Sequence, residues 1–348
     1  MEQQSKSIPD DAFQAHMLAG TSRTFALTIP QLPPGLSRVV ANAYLLCRIV
    51  DTVEDEPALS AELKRRFCAM FVDAVAGTET AERFSAELSP LLSSETIPAV
   101  HRLIKETPRV IAITHGFTPA QQDALRDCVR VMGQGMAQFQ DGQPGRGLRD
   151  LPELDRYCYH VAGVVGEMLT RLFCEHSSEI ARHKTALMQL AVRFGQGLQM
   201  TNILKDVWDD LERGACWLPR DVFAQTGFDL GELAPGRHSE SFGRGMQRLV
   251  GIARGHLEAA VRYTLLIPAR ETGIRNFCLW AIGMAVLTLR NIHRRIDFQA
   301  GDEVKISRRS VKATVLTSRL SAGWDPAVKL LFRIGARGLP SSPAPGAH

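Results

Sequence analysis

The stretch "RIVDTVEDEP" (residues 48–57) puts an arginine, two aspartates and two glutamates inside a segment that otherwise reads as a buried helix. The nine residues before it, "VVANAYLLC", are almost entirely apolar. At 3.6 residues per turn the polar residues form a thin stripe along one helix face. This stripe consists of Tyr44, Arg48, Asp51 and Asp55, with Glu54 beside it.

A thin polar stripe has two readings. A surface helix shows a broad polar face, whereas this one is apolar around most of its circumference. The first reading is therefore a line of functional side chains on a buried helix. The alternative is a helix end with a solvated acidic cap, and one such run leaves both readings open.

A second run, "GQGLQMTNILKDVWDDLERG" (residues 195–214), repeats the design. Its polar face consists of Gln199, Asn202, Asp206 and Asp210, with Arg213 continuing it. Each run has a basic residue before its first aspartate and a second aspartate four residues after the first. Two matched stripes favour a shared function over two surface helices with coincidental acidic faces.

Carboxylates in apolar surroundings cost several kcal/mol each unless a cation compensates them, and Arg48 and Lys205 balance only part of this charge. We therefore expect the two stripes to face each other and line one cavity. All-oxygen ligation of Mg²⁺, completed by a diphosphate, fits such a cavity. The predicted ligands are Asp51, Glu54, Asp55, Asp206 and Asp210. Asp209 is a weaker candidate because it lies about 100° from the Asp206 face.

Composition excludes several classes of protein. The 348 residues include 41 basic and 37 acidic ones, a net charge of +4, without a basic tract containing interleaved aromatics, so nucleic acid is not an expected partner. The start of the chain lacks the apolar core of an export signal. The seven cysteines form no C-x-x-C pair and read as reduced core residues of a cytoplasmic protein. The longest nearly uncharged stretch, "NFCLWAIGMAVLTL", is shorter than the roughly 20 residues that span a bilayer.

Hydrophobic periodicity predicts an all-α fold. We expect one helical domain over residues 1–325 and a flexible, low-complexity tail over residues 326–348. The predicted helices cover residues 35–55, 59–76, 80–92, 97–114, 119–141, 151–177, 180–212, 241–266, 272–299 and 308–321.

Five segments together carry a family resemblance. They are "TSRTF" (21–25), "YLLCRIVDTVEDE" (44–56), "YCYHVAGVVGEMLTRLF" (157–173), "QMTNILKDVWDDLERGACWLP" (199–219) and "DFQAGDEVKISR" (297–308). In this order they resemble squalene synthases of the squalene/phytoene synthase family. The D-T-V-E-D form is closer to squalene synthases than the D-D-x-x-D runs usual in phytoene and dehydrosqualene synthases.

The resemblance implies an isoprenoid synthase fold with helices around a central apolar cavity. It further implies Mg²⁺-dependent head-to-head condensation of two farnesyl diphosphates to presqualene diphosphate, followed by NADPH reduction to squalene. The implied substrate-binding residues are Ser22, Arg23, Phe25, Tyr44, Arg48, Asn202 and Lys205. Those implied for the NADPH phosphates are Arg23, Arg48, Lys205, Lys305 and Arg308.

Two of the implied roles have competitors within the sequence. Tyr157 is the implied catalytic tyrosine, acting with the catalytic aspartates Asp51, Asp55, Asp206 and Asp210. Tyr159, two residues later, competes for this role. The ordinary alternative for Tyr157 is a core tyrosine whose hydroxyl is hydrogen-bonded. Gly163 and Gly166 in the same segment permit close approach of a helix or a substrate chain. In the late basic segment Lys305 fits the family, but Ser307 stands where an arginine is usual and Arg308 is displaced by one position. A solvated basic loop is the alternative there.

Other functions remain open at this stage. A dehydrosqualene or phytoene synthase would share the condensation and end without hydride transfer. A non-catalytic assembly factor or prenyl-lipid carrier on the same scaffold is expected to lack acidic positions, yet both stripes are complete. A chain-elongating synthase is disfavoured because its paired D-D-x-x-D motifs are absent. The expected location is cytoplasmic, with peripheral membrane contact for product release as an option, and the oligomeric state is open.

Overall fold

The computed structural model describes residues 9–139, 146–234 and 239–341, apart from the side chains of Arg23 and Ala137. Within these ranges every regular element is helical, and β-pairing is limited to one isolated bridge between Leu148 and Pro219. The predicted all-α class is confirmed. The chain divides into two compact units, Met1–Gln138 and Phe139–His348, where the sequence predicted one domain.

The first unit is organised around a long helix that carries the first acidic run. Its helices are α1 (Asp10–Thr21), α2 (Arg23–Thr28), α3 (Pro34–Asp55), α4 (Ala61–Ala76), α5 (Ala81–Leu88), α6 (Pro98–Lys105), α7 (Thr107–His115) and α8 (Pro119–Met136). Helix α3 packs against α1, α4, α6, α7 and α8, which explains its apolar circumference.

A buried amide fixes the orientation of α3. Asn42 is fully buried, and its Nδ2 donates to the Val110 carbonyl at 3.2 Å and to the Thr114 hydroxyl at 2.7 Å. Its Oδ1 accepts from Gln14 Nε2 at 3.1 Å. Because a buried amide is tolerated only when it is hydrogen-bonded, these contacts hold α1, α3 and α7 in one register.

The second unit is built on two long central helices. Its helices are α9 (Leu151–Cys158), α10 (Val164–His176), α11 (Ser178–Ala181), α12 (Lys184–Lys205), α13 (Val207–Glu212), α14 (Arg220–Ala224), α15 (Glu240–Leu266), α16 (Thr272–Arg294), α17 (Gly301–Val304), α18 (Arg308–Ser321) and α19 (Asp325–Gly335). Helix α12 packs most extensively against α15 and also contacts α10 and α16.

Glycines allow the close contacts of α12. A Cβ on Gly166 of α10 would lie 2.4 Å from the Ala191 carbonyl oxygen, and one on Gly195 would lie 2.2 Å from the Ala162 carbonyl oxygen. Both distances are far below van der Waals contact, so the two backbones touch directly at these positions. The sequence reading of Gly166 as a close-approach position is confirmed, and the approaching group is a helix.

Several predicted helix boundaries are wrong. The helix predicted over 97–114 divides at Glu106 into α6 and α7, because Pro108 in the first turn of α7 has no N–H to continue α6. The helix predicted over 180–212 divides at Asp206, whose φ of −97° and ψ of 13° end α12 and precede α13. The helix predicted over 151–177 contains a π-helical turn at Tyr159–Gly163, a feature that is frequent at functional sites.

Helix α19 lies where the sequence predicted the start of a flexible tail. Its first turn contains Pro326, a position that proline favours because its missing N–H has no partner there in any case. Val328 and Leu339 are buried, and Asp325 Oδ1 accepts from the buried Arg275 at 2.7 Å. These contacts tie the segment to the second unit. Residues 342–348 of the predicted tail lie outside the described residues.

Among the described helices, α16 alone has the length and composition that could cross a membrane. The helix has 23 residues, more than the uncharged stretch identified in the sequence. Of its most apolar 18 residues, 67% are buried inside the protein. It packs against α12, α15 and α18, as a core helix does. Six of the seven cysteines are buried and Cys174 is partly exposed, consistent with their interpretation as core residues.

Candidate active site

The first acidic motif lies on the last two turns of α3. Asp51 is half-buried, Glu54 is buried and Asp55 is exposed. Burial and the negative charge of Asp55 raise the pKa of Asp51 to about 7, although Arg48 opposes the shift. Burial also raises the pKa of Glu54 well above its ordinary value, and both neighbouring aspartates add to this. The ionised forms of the Asp51 and Glu54 carboxyls are therefore less stable here than in water.

Two residues that the sequence reading left out stabilise the end of α3. The Lys64 ammonium donates to the Glu54 carbonyl, and its charge partly offsets the raised pKa of the Glu54 carboxyl. Glu56 accepts hydrogen bonds from Thr96 Oγ1 at 2.7 Å and from the Ala58 N–H at 3.0 Å. Although burial opposes it, these bonds lower the pKa of Glu56. Glu56 therefore has a structural role that sets it apart from the other acidic residues of the run.

The substrate residues predicted in the first unit cluster beside this motif. The Tyr44 hydroxyl donates to the Thr21 carbonyl at 3.0 Å, and its ring lies 5.0 Å from that of Phe25. Ser22 caps α2 by accepting from the Phe25 N–H at 3.1 Å. The Nε of Arg48 is buried and has no hydrogen-bond partner among the described residues. The side chain of Arg23, predicted to contact phosphate, lies outside the described part of the structure.

The second acidic motif lies at the break between α12 and α13. Lys205 Nζ is 3.0 Å from Asp206 Oδ2, and Arg213 Nη2 is 2.7 Å from Asp210 Oδ1. Asn202, also predicted here, is exposed on the last turn of α12. Both predicted metal-binding aspartates therefore have a basic partner on their own segment.

A short segment before α18 covers this motif. Trp208 Nε1 donates to the Phe298 carbonyl at 2.6 Å and holds the segment against α13. A Cβ placed on Gly301 would lie 3.2 Å from Asp206 Oδ1 and 3.1 Å from Asp209 Oδ2. The carboxyls of Asp206 and Asp209 therefore approach the same point of the chain. Positions three apart on an unbroken helix lie only about 60° from each other, so the expected angle of about 100° overstated the separation of Asp206 and Asp209.

Lys305 lies in the surroundings of the second acidic motif. A hydrogen bond and attraction from Asp302, with further attraction from Asp206 and Asp209, raise the pKa of its ammonium. Lys305 is thus far from the second acidic run along the chain but close enough to its aspartates in the fold to be attracted by them. Ser307 accepts from the Ser310 N–H at 3.1 Å and caps α18. Arg308 is exposed at the first position of that helix.

Tyr157 is buried in an aromatic cluster at the end of α9. Its ring stacks on Trp217 with centroids 4.0 Å apart, and Phe139 meets it edge-on at 5.3 Å. Tyr159, its competitor, begins the π-helical turn and donates to Glu167 Oε2 at 3.1 Å. The two tyrosines thus differ: Tyr157 packs among aromatic rings, whereas the hydroxyl of Tyr159 is committed to a carboxylate.

The donor chemistry of both motifs suits Mg²⁺, which prefers carboxylate oxygens and retains water and substrate phosphate ligands. Among the described residues no three His, Cys, Asp or Glu side chains converge into a ready-made metal cluster. Asp51 provides the better test of fit, because a nearby divalent cation would offset the unfavourable field that raises the pKa of its carboxyl. The two motifs belong to different compact units, so their facing each other stays a prediction.

Comparison with known proteins assigns the family. The model of the squalene/phytoene synthase family matches residues 18–310. Squalene synthase ERG9 of Gibberella zeae is 30% identical over 298 residues, which cover 82% of this chain and 61% of that protein. The chain belongs to the squalene/phytoene synthase family.

Solved structures share the fold. The complex of TcSQS with the ligand BPH1237 superposes with a TM-score of 0.73 at 22% identity, covering 94% of this chain and 98% of that one. A dehydrosqualene synthase in complex with a ligand gives 0.66 at 19% identity, covering 89% and 95%. The chain spans about three-fifths of the length of the Gibberella protein.

Proposed function

We propose that the protein is a squalene synthase: a transferase that condenses two farnesyl diphosphates head to head through presqualene diphosphate and then reduces the product to squalene. The observation that carries this proposal is the placement of three carboxyls on the last two turns of α3, with Asp51 half-buried and Glu54 buried. A chain of this family that keeps such a carboxyl, with Glu54 and Asp55 beside it, supports a site completed by a cation.

In this proposal each motif has its own set of side chains. Asp51, Glu54 and Asp55 would hold Mg²⁺ at the first motif, and Asp206 and Asp210 would do so at the second, with Asp209 as a further donor. Bound Mg²⁺ would neutralise the charge that develops on the departing diphosphate, and NADPH would supply the closing hydride. Arg48, with its buried Nε, would donate to a diphosphate oxygen.

The aromatic cluster has a role in the same scheme. Tyr157, stacked on Trp217, would present a ring face and a hydroxyl to the carbocation formed when diphosphate leaves. Ring faces attract cations and exclude water, which would otherwise quench the cation. Phe25 and Tyr44 would line the start of the other farnesyl chain, beside Ser22 and Arg23.

The reduction step requires a binding site for NADPH. Lys305 and Arg308 would bind the phosphates of NADPH, together with Arg23, Arg48 and Lys205. Ser307, where the family usually has an arginine, is the N-cap of α18 and offers no positive charge to the cofactor. A dehydrosqualene synthase, which ends before hydride transfer, is therefore the second candidate.

One incubation series tests these proposals. The full chain is incubated with farnesyl diphosphate and Mg²⁺, with and without NADPH, while pyrophosphate release is followed and the lipids are identified by mass spectrometry. We expect squalene with NADPH, and without it continued pyrophosphate release with presqualene diphosphate or dehydrosqualene as products. Identical dehydrosqualene in both reactions supports the second candidate. No pyrophosphate release would favour a carrier or assembly factor.

A further inference from the structure

Exposed apolar side chains are concentrated at the end of the second unit. Ten large hydrophobic residues are exposed among the described residues, and six of them lie between positions 316 and 334. These six are Leu316, Leu320, Trp324, Leu330, Leu331 and Ile334. Scattered exposed apolar residues need no explanation, whereas a concentration on two neighbouring helices marks an interaction surface.

Helix α18 buries small hydroxyl side chains and exposes two leucines among its basic residues. Its buried residues are Thr314, Ser318 and Ser321, whereas Leu316 and Leu320, one turn apart, are 60% and 79% exposed. Two large apolar side chains are therefore left in solvent while small polar ones are buried. Trp324, 65% exposed, lies between the two helices as the N-cap of α19.

Helix α19 packs against α18. The surface of α19 itself has three sectors, one buried, one apolar and one basic. Val328 points into the protein. Leu330 and Ile334, four residues apart, are each 55% exposed on a second sector. Lys329 and Arg333, also four residues apart, are exposed on a third. A helix with adjoining apolar and basic sectors has the pattern of one that lies in a membrane interface.

The same region is strongly basic. Residues 306–341 contain seven basic residues and one acidic residue, although the whole chain has a net charge of only +4. The basic residues are Arg308, Arg309, Lys312, Arg319, Lys329, Arg333 and Arg337. The acidic one, Asp325, is already bound by Arg275 at 2.7 Å. The positive charge of this region is therefore not balanced within it.

A basic cavity opens beside α19. Its volume is about 430 Å³, and it is lined by residues of α15 and by Lys329, Arg333 and Arg337. Its only acidic lining residue, Glu258, pairs with Arg254 at 3.1 Å. Arg254 also donates to the Leu339 carbonyl at 2.7 Å. The three basic residues of the C-terminal segment therefore provide the remaining charge, which is complementary to a phosphate group.

We propose that the exposed residues of α18, Trp324 and α19, here called the C-terminal surface, dock the protein on the surface of an anionic lipid bilayer. The apolar side chains enter the boundary between headgroups and acyl chains, and the basic side chains are attracted to the anionic headgroups. Trp324 lies at the depth where tryptophan is enriched in membrane proteins. The basic cavity accepts the phosphate of one headgroup.

Charge decides between a bilayer and a second copy of the chain as the occupant. A symmetric dimer through the C-terminal surface would bring two groups of six basic residues together, and like charges across an interface are unfavourable. An anionic bilayer offers both an apolar layer and compensating charge. The proposal does not rest on the reaction that the protein catalyses.

Vesicle sedimentation with the full chain tests the proposal. We expect binding to vesicles of phosphatidylcholine with phosphatidylglycerol, little binding to phosphatidylcholine alone, and release as salt is raised. The triple variant Lys329→Gln/Arg333→Gln/Arg337→Gln should lower the partition coefficient about a hundredfold, since each basic residue near the surface contributes roughly fivefold. Its control, Arg130→Gln/Arg244→Gln/Arg262→Gln, removes the same charge elsewhere and should cause a much smaller change.

A second variant tests the apolar contribution separately. Leu320→Ser/Leu330→Ser/Ile334→Ser should reduce vesicle binding at every salt concentration, whereas Leu91→Ser/Ile97→Ser, exposed residues of the first unit, should not. Circular dichroism and thermal melting verify that each variant is folded. The proposal is overturned if the wild-type protein does not sediment with anionic vesicles. It is equally overturned if the basic variant loses only binding of inorganic phosphate, or if the apolar variant only converts a dimer to a monomer in sedimentation velocity.

Discussion

The two acidic motifs have the same pattern in sequence and different electrostatics in the structure. On α3 the helix is unbroken, and burial together with mutual repulsion raises the pKa of Asp51 to about 7. At the α12–α13 break, Asp206 and Asp210 each lie within 3.0 Å of a basic nitrogen. The first motif disfavours its own charge, whereas the second already contains cations that balance its charge.

This difference predicts unequal dependence on an added cation. A carboxyl with a raised pKa gains more from a divalent ion than one that is already paired, because the ion removes an existing repulsion. At the second motif an incoming ion must compete with Lys205 and Arg213. We therefore expect the first motif to bind Mg²⁺ before the second, and the diphosphate to contribute more ligands at the second.

The largest expected effect is loss of turnover on removing either leading aspartate. Asp51→Asn and Asp206→Asn keep size and hydrogen bonding while removing the charge that holds the metal. Each should lower pyrophosphate release at least about a hundredfold, the cost of losing one group that stabilises developing charge. The exposed Asp123→Asn on α8 is the matched control. Near-native turnover in either variant would show that its carboxylate is not a metal ligand.

Stability should change in opposite directions in the same two variants. In a chelator at about pH 8, Asp51→Asn should raise the free energy of unfolding by about 1–3 kcal/mol, because a disfavoured, half-buried charge is removed. Asp206→Asn should lower it by at most about 1 kcal/mol, because only a half-exposed ion pair is lost. Urea denaturation measures both. A loss of stability in Asp51→Asn would contradict the proposed contrast between the motifs.

The pH dependence of this gain follows from the sign of the shift. The pKa of Asp51 is raised from 3.8 to about 7 on folding, so the folded state favours the protonated form. The energetic cost of the charge is fully present above about pH 7 and disappears as the pH falls toward about 4. The advantage of Asp51→Asn over wild type should therefore shrink across that interval. A pH-independent difference would assign the effect to packing instead.

The sequence predicted the helix α3 well, because helical periodicity is a strong signal when apolar residues surround a thin polar stripe. Periodicity could not reveal the break at Asp206, since every residue from Asn202 to Asp210 is compatible with a helix. The family resemblance marked Ser307 as a position where an arginine is usual, and the structure shows that this serine is the N-cap of α18. Helix α19 had a readable start at Pro326, which the low-complexity tail beyond it obscured.

Gly301 offers a test of the second motif that changes no charge. A Cβ there would lie within 3.2 Å of Asp206 Oδ1, Asp209 Oδ2 and the Lys205 carbonyl. Because such contacts force neighbours to move by a few tenths of an ångström, Gly301→Ala should lower turnover about tenfold and raise the Mg²⁺ concentration for half-maximal rate. Gly35→Ala on α3, where a Cβ meets no atom within 4 Å, is the control. An unchanged Mg²⁺ requirement in Gly301→Ala would mean that the second motif does not depend on this packing.

The smallest expected effect is that of Lys305→Ala. This variant should raise the apparent KM for NADPH and lower the Mg²⁺ requirement. Lys305 is exposed and paired with Asp302, so its loss should raise the apparent KM for NADPH only about three- to fivefold, the discount appropriate to a solvated ion pair. The attraction of Asp206 and Asp209 for the same ammonium means that removing it makes the second motif more negative. The Mg²⁺ concentration for half-maximal pyrophosphate release should therefore fall by about twofold.

Lys312→Ala, on the exposed part of α18, removes an equal charge away from these aspartates and should leave both quantities unchanged. A rise in both constants for Lys305→Ala would indicate a disturbed fold of the 297–305 segment, and no change in either would make Lys305 a solvated side chain without a role.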